Sequence, residues 1–347
     1  MQQNRLEPVQ GPVAWYGPAM AEERSWIYRL SEHEIQEIEQ ALAGLPSEMC
    51  QARQFSRKDF PLPNFGNELT SLLEHIQSGR GFALIRGLPL DRWSREQIEA
   101  VYWGIGSYFG EPISQNAEGQ LIAEVTNRGQ SYENNTNDRG YRSRDRLHPH
   151  VDTSDVTALL CLQPAKSGGH SSIASSLTVL NELLERHPEH IERLASGYHH
   201  DLRGEGPTRK IEEVTHNRIP VFSAFEGKTS CCLNYKIMKS AHDKVGEPFV
   251  AEDEAALGDL VDIALSESVR LDMQLERGDI QLVNNYVLLH WRTEFEDWPE
   301  PERRRCLLRM WLNTREPRPL APEFADRYNT GPRGGVWSGA PVLEEAT

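Results

Sequence analysis

The stretch Arg303-Arg304-Arg305-Cys306-Leu307-Leu308-Arg309-Met310-Trp311-Leu312 decides how this chain is read. Side chains alternate between the two faces of an extended strand. Arg305, Leu307, Arg309 and Trp311 therefore share one face, and Cys306, Leu308, Met310 and Leu312 share the other. Both faces read as buried. An arginine in such surroundings demands an anion, because a buried charge deprived of its partner costs about 3–5 kcal/mol. The planar, doubly donating guanidinium suits a carboxylate, supplied either by the protein or by a ligand.

Upstream of this strand, from about residue 120, short apolar runs follow one another at 121–126, 156–162, 171–174, 219–224, 229–234, 269–275, 279–284 and 286–291. Many short strands with turn residues between them predict a sandwich or jelly roll. Glu226-Gly227-Lys228 and Glu276-Arg277-Gly278-Asp279 read as hairpin turns, and helical insertions are expected near 176–196 and 251–266. The first third is mainly helical. Ser31 to Glu34 and Ser94 to Gln97 have the form of capping boxes, and a further helix is expected near 67–78, ahead of a buried strand from Phe82 to Ile85. The expected organisation is an all-β core with helical additions: an N-terminal helical extension over 1–80, the core over 81–316, and a tail over 317–347 that wraps the surface. The polar segment 127–146, NRGQSYENNTNDRGYRSRDR, reads as a functional lid or as disordered chain.

Composition narrows the partners. A net charge of −15 repels phosphate backbones, which excludes nucleic acid as a natural partner. No stretch approaches the ~20 apolar residues that cross a bilayer, and the opening MQQNRLEPVQ lacks the basic start and apolar core of a signal, so a cytoplasmic protein is expected. Cys50, Cys161, Cys231, Cys232 and Cys306 show no C-x-x-C spacing and read as small buried hydrophobes. A small molecule is the expected partner, and self-association as a homo-oligomer is left open.

Two further segments carry chemistry. In His148-Pro149-His150-Val151-Asp152, proline biases the preceding residue towards extended backbone, so His150 and Asp152, two apart, present an imidazole and a carboxylate to one point. A surface histidine beside a turn aspartate would look the same. In Gly278 to His290 a histidine closes a largely apolar strand pair, where its nitrogens need a hydrogen bond or a metal. Two histidines and one carboxylate leave three octahedral positions open, the arrangement usual for non-haem Fe(II) oxygenases, and a buried arginine downstream sharpens the combination.

These residues resemble the taurine dioxygenase-like (TauD/TfdA) family of Fe(II)- and 2-oxoglutarate-dependent oxygenases. The resemblance runs from GFALIRGLP at Gly81 to about Leu312, through HVD at 150–152, SGGHSS at 167–172, LHWRTEFED at 289–297 and RRRCLLR at 303–309. It implies a double-stranded β-helix, a cupin-like jelly roll flanked by α-helices, with iron at one mouth. It implies His150, Asp152 and His290 as metal ligands and catalytic centre, and Arg305 as partner of the far carboxylate of 2-oxoglutarate. Ser171 stands where the family often has a threonine that contacts the co-substrate, with Ser172 as its alternate. Arg309 matches a position that in some members reaches an anionic group of the substrate, and it could instead assist Arg305.

The implied chemistry consumes O2 and 2-oxoglutarate, releases succinate and carbon dioxide, and oxidises an unactivated C–H bond of a small organic molecule. Because Asp152 fills the position that related halogenases vacate for chloride, hydroxylation is expected, with desaturation or cyclisation as variants. The competing readings are a redox-inert zinc hydrolase, which needs no buried cation for a co-substrate, and a non-catalytic ligand-binding jelly roll. His148 is expected to act behind the ligands or at the surface, and Asn284 or Asn285 to face the pocket.

Overall fold

A computed structural model describes residues 5–53, 55–131 and 139–342. Its central strand, Val156–Gln163, is apolar at nearly every position and pairs antiparallel on both sides, with Ile280–Asn284 and Cys306–Asn313. The seven-stranded sheet so formed runs Ile27–Arg29, Phe82–Arg86, Ile280–Asn284, Val156–Gln163, Cys306–Asn313, Glu111–Ile113, with Ile122–Thr126 also pairing with Cys306–Asn313. Only Ile27–Arg29 joins in parallel, alongside Phe82–Arg86. The second sheet holds Leu271–Met273, Ser171–Ser175 and Leu288–Arg292. Bridges extend it from His290 to His150 and on to Asn234. The chain is a double-stranded β-helix of the cupin-like kind, with helices outside it.

The alternation of the 303–312 stretch explains its place. Leu307 joins the core cluster that holds Ile173, Leu289 and Trp291 of the smaller sheet, whereas Leu308, Met310 and Leu312 join Ile38, Leu69, Ile76 and Tyr102. Those last four come from helices Glu32–Gly44, Phe65–Gln77 and Arg95–Gly106, which cover the outer face of the larger sheet. Both expected capping boxes are formed, at Ser31 with Glu34 and at Ser94 with Gln97. The expected 176–196 helix divides into Ser176–Arg186 and Ile191–Ser196 around Pro188, whose ring and missing N–H cannot continue the first segment.

Several expectations need correction. Glu226 and Gly227, at φ 46° and 74°, do form a hairpin between Phe222–Phe225 and Lys228–Cys231. The turn at Glu276 to Asp279 instead carries the chain from the smaller sheet to the larger, because Leu271–Met273 and Ile280–Asn284 have different partners. The strand read over 229–234 ends at Cys231, and the Asn234 side chain caps an unforeseen helix, Tyr235–Lys244. The tail does more than wrap the surface: Tyr328 and Val336 are buried against Trp311 and Leu202. Of the 127–146 segment, the flanks are held by bonds from Arg128 N to Arg142 O and from Arg139 N to Gln130 Oε1. Residues 132–138 lie outside the described residues.

Candidate metal centre

His150 and His290 exchange both backbone hydrogen bonds, N to O at 3.1 and 2.9 Å, which brings their imidazole centroids to 4.5 Å. The mouth of the barrel thus sets two histidines 140 residues apart side by side. Asp152 follows at the same edge, and ligand atoms of His150, Asp152 and His290 all lie within 4.8 Å of one another. His290 Nε2 stands 3.6 Å from Asp152 Oδ2.

The surroundings prepare each donor. His150 Nδ1 meets the carbonyl of His148 at 2.8 Å, which fixes the proton there and turns the Nε2 lone pair outward. His148 therefore acts through its backbone, its ring being exposed. Burial, reinforced by neighbouring His290, lowers the His150 pKa to about 4 and keeps the ring neutral. Burial pulls the Asp152 carboxyl upward, but Arg309 and then the two histidines outweigh it and hold the group well below the usual carboxylate range. Thr157 Oγ1 donates to Asp152 Oδ2 at 2.8 Å, and the Asp152 N–H donates to Asn285 Oδ1 at 3.1 Å. Asn285 also donates to Ser154 and Thr157, so one side chain ties the ligand loop together, while Asn284 bonds to Ile76 O away from the site.

Arg305 is 5 % exposed and its Nη1 has no hydrogen-bond partner. Its backbone is clamped, the N–H donating to Asp297 Oδ1 at 2.8 Å and the carbonyl accepting from Thr126 Oγ1 at 2.8 Å. Its guanidinium lies 5.2 Å from the centre of the Phe295 ring. Burial lowers its pKa to about 10. Arg292 was not anticipated. It lies two residues beyond His290, buried, with Nε unpartnered, and burial together with Arg305 lowers its pKa to about 9. Opposite Arg292 in the sheet stands Ser171, whose Oγ donates to Gln281 Oε1 at 2.8 Å. Ser172 bonds instead to Asp272, as strand alternation requires, which removes it as the alternate for Ser171.

Arg309 keeps different company from Arg305. It donates to Gln115 Oε1 at 2.7 Å, approaches Asp152 Oδ1 at 3.5 Å, and covers Trp311 and Tyr141 at 4.6 and 5.0 Å from the ring centres. It lines a cavity of about 110 Å³ together with His150, Asp152 and Trp311. Clefts of about 660 and 600 Å³ are larger, but neither includes a ligand residue. Among the described residues a second donor cluster, His187, Glu189 and His190, is more exposed.

Two imidazoles and one carboxylate are the donor set of non-haem iron. Arg305, buried with an orphaned nitrogen, supplies the cation that a dicarboxylate needs, so these residues fit both groups.

Comparison with known proteins agrees with this geometry. The family described as taurine catabolism dioxygenase TauD, TfdA family, matches residues 44–311. FR-33289 synthase of Streptomyces rubellomurinus is 29 % identical over 310 residues, covering 88 % of this chain and 91 % of the relative. The taurine hydroxylase-like protein SAT17 of Stachybotrys chartarum is 30 % identical over 310 residues, covering 86 % and 78 %. The fold is that of asparagine oxygenase in complex with Fe(II), hydroxyasparagine and succinate, at a TM-score of 0.64 and 19 % identity over 83 % of this chain and 94 % of that one. It is also that of the non-haem iron oxygenase OrfP in complex with Fe and α-ketoglutaric acid, at 0.57 and 15 % over 83 % and 94 %. The hydrolase and binding-protein readings find no support in these matches. The chain belongs to the TauD/TfdA family and is an Fe(II)- and 2-oxoglutarate-dependent dioxygenase.

Proposed function

We propose that His150, Asp152 and His290 hold the Fe(II), that Arg305 receives the far carboxylate of 2-oxoglutarate with Ser171 and Arg292 beside it, and that the cavity along Asp152 and Arg309 takes the small molecule to be hydroxylated. One observation carries this reading: three ligand atoms converge within 4.8 Å, and two residues beyond His290 stands Arg292, which acts on Arg305, a buried guanidinium whose Nη1 has no partner. When bound, the iron supplies dioxygen chemistry, one oxygen atom entering the C–H bond and the other entering succinate as carbon dioxide leaves 2-oxoglutarate.

The chain supplies orientation. The His148 carbonyl sets the His150 tautomer, and Thr157 and Asn285 aim Asp152. Arg305, buried and with its guanidinium over the Phe295 ring, has little rotamer freedom left to lose on binding a planar anion. Arg309 belongs with the substrate side, since its contacts are Gln115, Tyr141, Trp311 and Asp152.

Anaerobic addition of Fe(II) and 2-oxoglutarate to the apoprotein tests the assignment. A visible charge-transfer band is expected in wild type and in Arg309→Gln. Arg305→Ala should need about 100-fold more 2-oxoglutarate to form it, and once air is admitted Asp152→Ala should release no succinate where wild type does. Unchanged 2-oxoglutarate affinity in Arg305→Ala would remove the anion-site assignment.

A further inference from the structure

The run His187-Pro188-Glu189-His190 joins the helices Ser176–Arg186 and Ile191–Ser196. Pro188 opens a single 3-10 turn, Pro188–His190, and the His190 N–H donates to the His187 carbonyl at 3.1 Å. In a 3-10 turn the side chains at i and i+3 eclipse one another. His187 and His190 are such a pair, and their rings lie within 10° of parallel with centroids 5.6 Å apart. Both face the helix Ala251–Leu265, where Asp259 Oδ2 stands 2.9 Å from His190 Nε2 and 3.4 Å from His187 Nδ1. Glu189 Oε1 lies 3.7 Å from the same nitrogen of His187. One ligand atom from each of His187, Glu189 and His190 is within 4.8 Å of the others.

An ion pair explains one of these contacts and not the set. The His190–Asp259 hydrogen bond needs neither a second imidazole on the same carboxylate oxygen nor a second carboxylate beside that imidazole. A divalent cation needs that convergence. With bonds of about 2.0–2.1 Å to nitrogen and oxygen, the donors of a tetrahedral zinc ion stand about 3.3 Å apart. The separations of 2.9, 3.4 and 3.7 Å bracket that value. All four side chains are reachable from solvent, so an ion can enter without the fold opening.

We propose that His187, Glu189, His190 and Asp259 form a second metal site, for a zinc-class divalent cation, and that its role is structural. Imidazole and carboxylate are donor types that suit zinc, and four protein ligands close a tetrahedral site, leaving no place for a substrate. The proton between His190 and Asp259 leaves to solvent as the ion enters. None of the four residues lines the cavity beside Asp152. The ion ties the corner between two helices to a third. Ser176–Arg186 continues directly from Ser171–Ser175, the strand paired with Leu288–Arg292, so the brace stands behind the sheet that carries His290.

Zinc alone is the probe, and competition with a chromophoric chelator counts the ions bound by the metal-free full-length chain. His190→Gln should bind one zinc fewer than wild type, and wild type should hold that ion with a dissociation constant below about 0.1 mM. His187→Gln should lose the same ion. Thermal unfolding reads the structural role, since an ion bound only by the folded chain stabilises it: saturating zinc should raise the melting temperature less in His190→Gln than in wild type. The anaerobic Fe(II)–2-oxoglutarate band, formed by His190→Gln as by wild type, shows that the lost ion is not the one held by the ligand triad. Should His190→Gln fail to fold, Asp259→Asn decides instead, because it keeps a hydrogen-bond acceptor and removes the charge; it should bind this zinc about 10-fold or more weakly. Equal zinc counts in wild type and His190→Gln, unchanged affinity in Asp259→Asn, or a wild-type constant above about 0.1 mM, meaning an adventitious ion only, would overturn the inference.

Discussion

Arg305 stands at a position where binding and stability pull in opposite directions. In the apoprotein its guanidinium is desolvated with one nitrogen orphaned, and Arg292 adds a second cation nearby. Replacing an uncompensated buried charge by an apolar side chain of similar volume relieves its desolvation penalty, on the order of several kcal/mol per ion. Arg305→Met should therefore raise the apoprotein's melting temperature while losing the further rise that 2-oxoglutarate gives wild type. Thermal unfolding with and without 2-oxoglutarate reads both effects, and a variant less stable than wild type without ligand would contradict the first. Asn285 is the complementary case. Asn285→Ala strips the Asp152 N–H, Ser154 and Thr157 of their shared partner and should weaken metal binding about 10- to 100-fold, measured by anaerobic Fe(II) titration. These two residues also mark what the sequence could disclose. Arg305, His150, Asp152 and His290 were legible because local alternation and motif order expose them. Arg292 was equally legible in principle, since a residue two beyond an inward histidine must face inward too. Asn285 was legible only as one of two neighbours, with Asn284, expected to face the pocket, because its bonds depend on meeting a loop more than 130 positions away.

At the level of elements, the double glycine of SGGHSS shows how a turn shapes the surroundings of Arg305. Gly168 and Gly169 have φ of 68° and 67°. A Cβ on Gly168 would lie 2.2 Å from Glu294 O, a backbone atom of the paired segment Phe295–Glu296 and its approach. A Cβ on Gly169 would lie 3.2 Å from Arg305 Nε and from Phe295 Cβ, both able to give slightly. Gly168→Ala should thus be the more destabilising change, by more than the ~1–2 kcal/mol that left-handed backbone alone costs an alanine. Gly169→Ala should cost about that amount and also weaken 2-oxoglutarate binding by displacing Arg305. Urea denaturation and 2-oxoglutarate titration of both variants check the order, and equal co-substrate affinity in Gly169→Ala and wild type would break the link to Arg305. Two strands that escaped sequence reading share a physical reason. Ile27–Arg29 and Glu111–Ile113 are only three residues long, too short for alternation to register, and are stabilised by their neighbours in the sheet. The Glu276 to Asp279 turn looked like a hairpin because local chemistry specifies a reversal but not which sheet each arm joins.

Across the whole molecule, surplus negative charge surrounds an interior stocked with arginines, and this governs its response to acid. His200 is 4 % exposed, its Nε2 has no partner, and the charged or titratable groups acting on it are Arg327, His199 and His242. Burial first, then repulsion by Arg327, lowers its pKa from 6.5 to about 3. The unfolded chain takes up this proton below about pH 6.5, whereas the native protein does not until about pH 3, so the unfolded state binds more protons throughout that window. Stability attributable to His200 is therefore intact above pH 6.5 and falls with decreasing pH, by roughly 1.4 kcal/mol for each unit below the unfolded value. His200→Gln keeps a polar side chain of similar reach and removes the proton. Urea unfolding of metal-free wild type and His200→Gln at pH 7, 6, 5 and 4 should give a stability difference that moves steadily in favour of the variant as pH drops. A difference independent of pH would mean that the native imidazole accepts its proton as readily as the unfolded one, and that the pocket formed around it by Arg327 and its neighbours does not exclude charge.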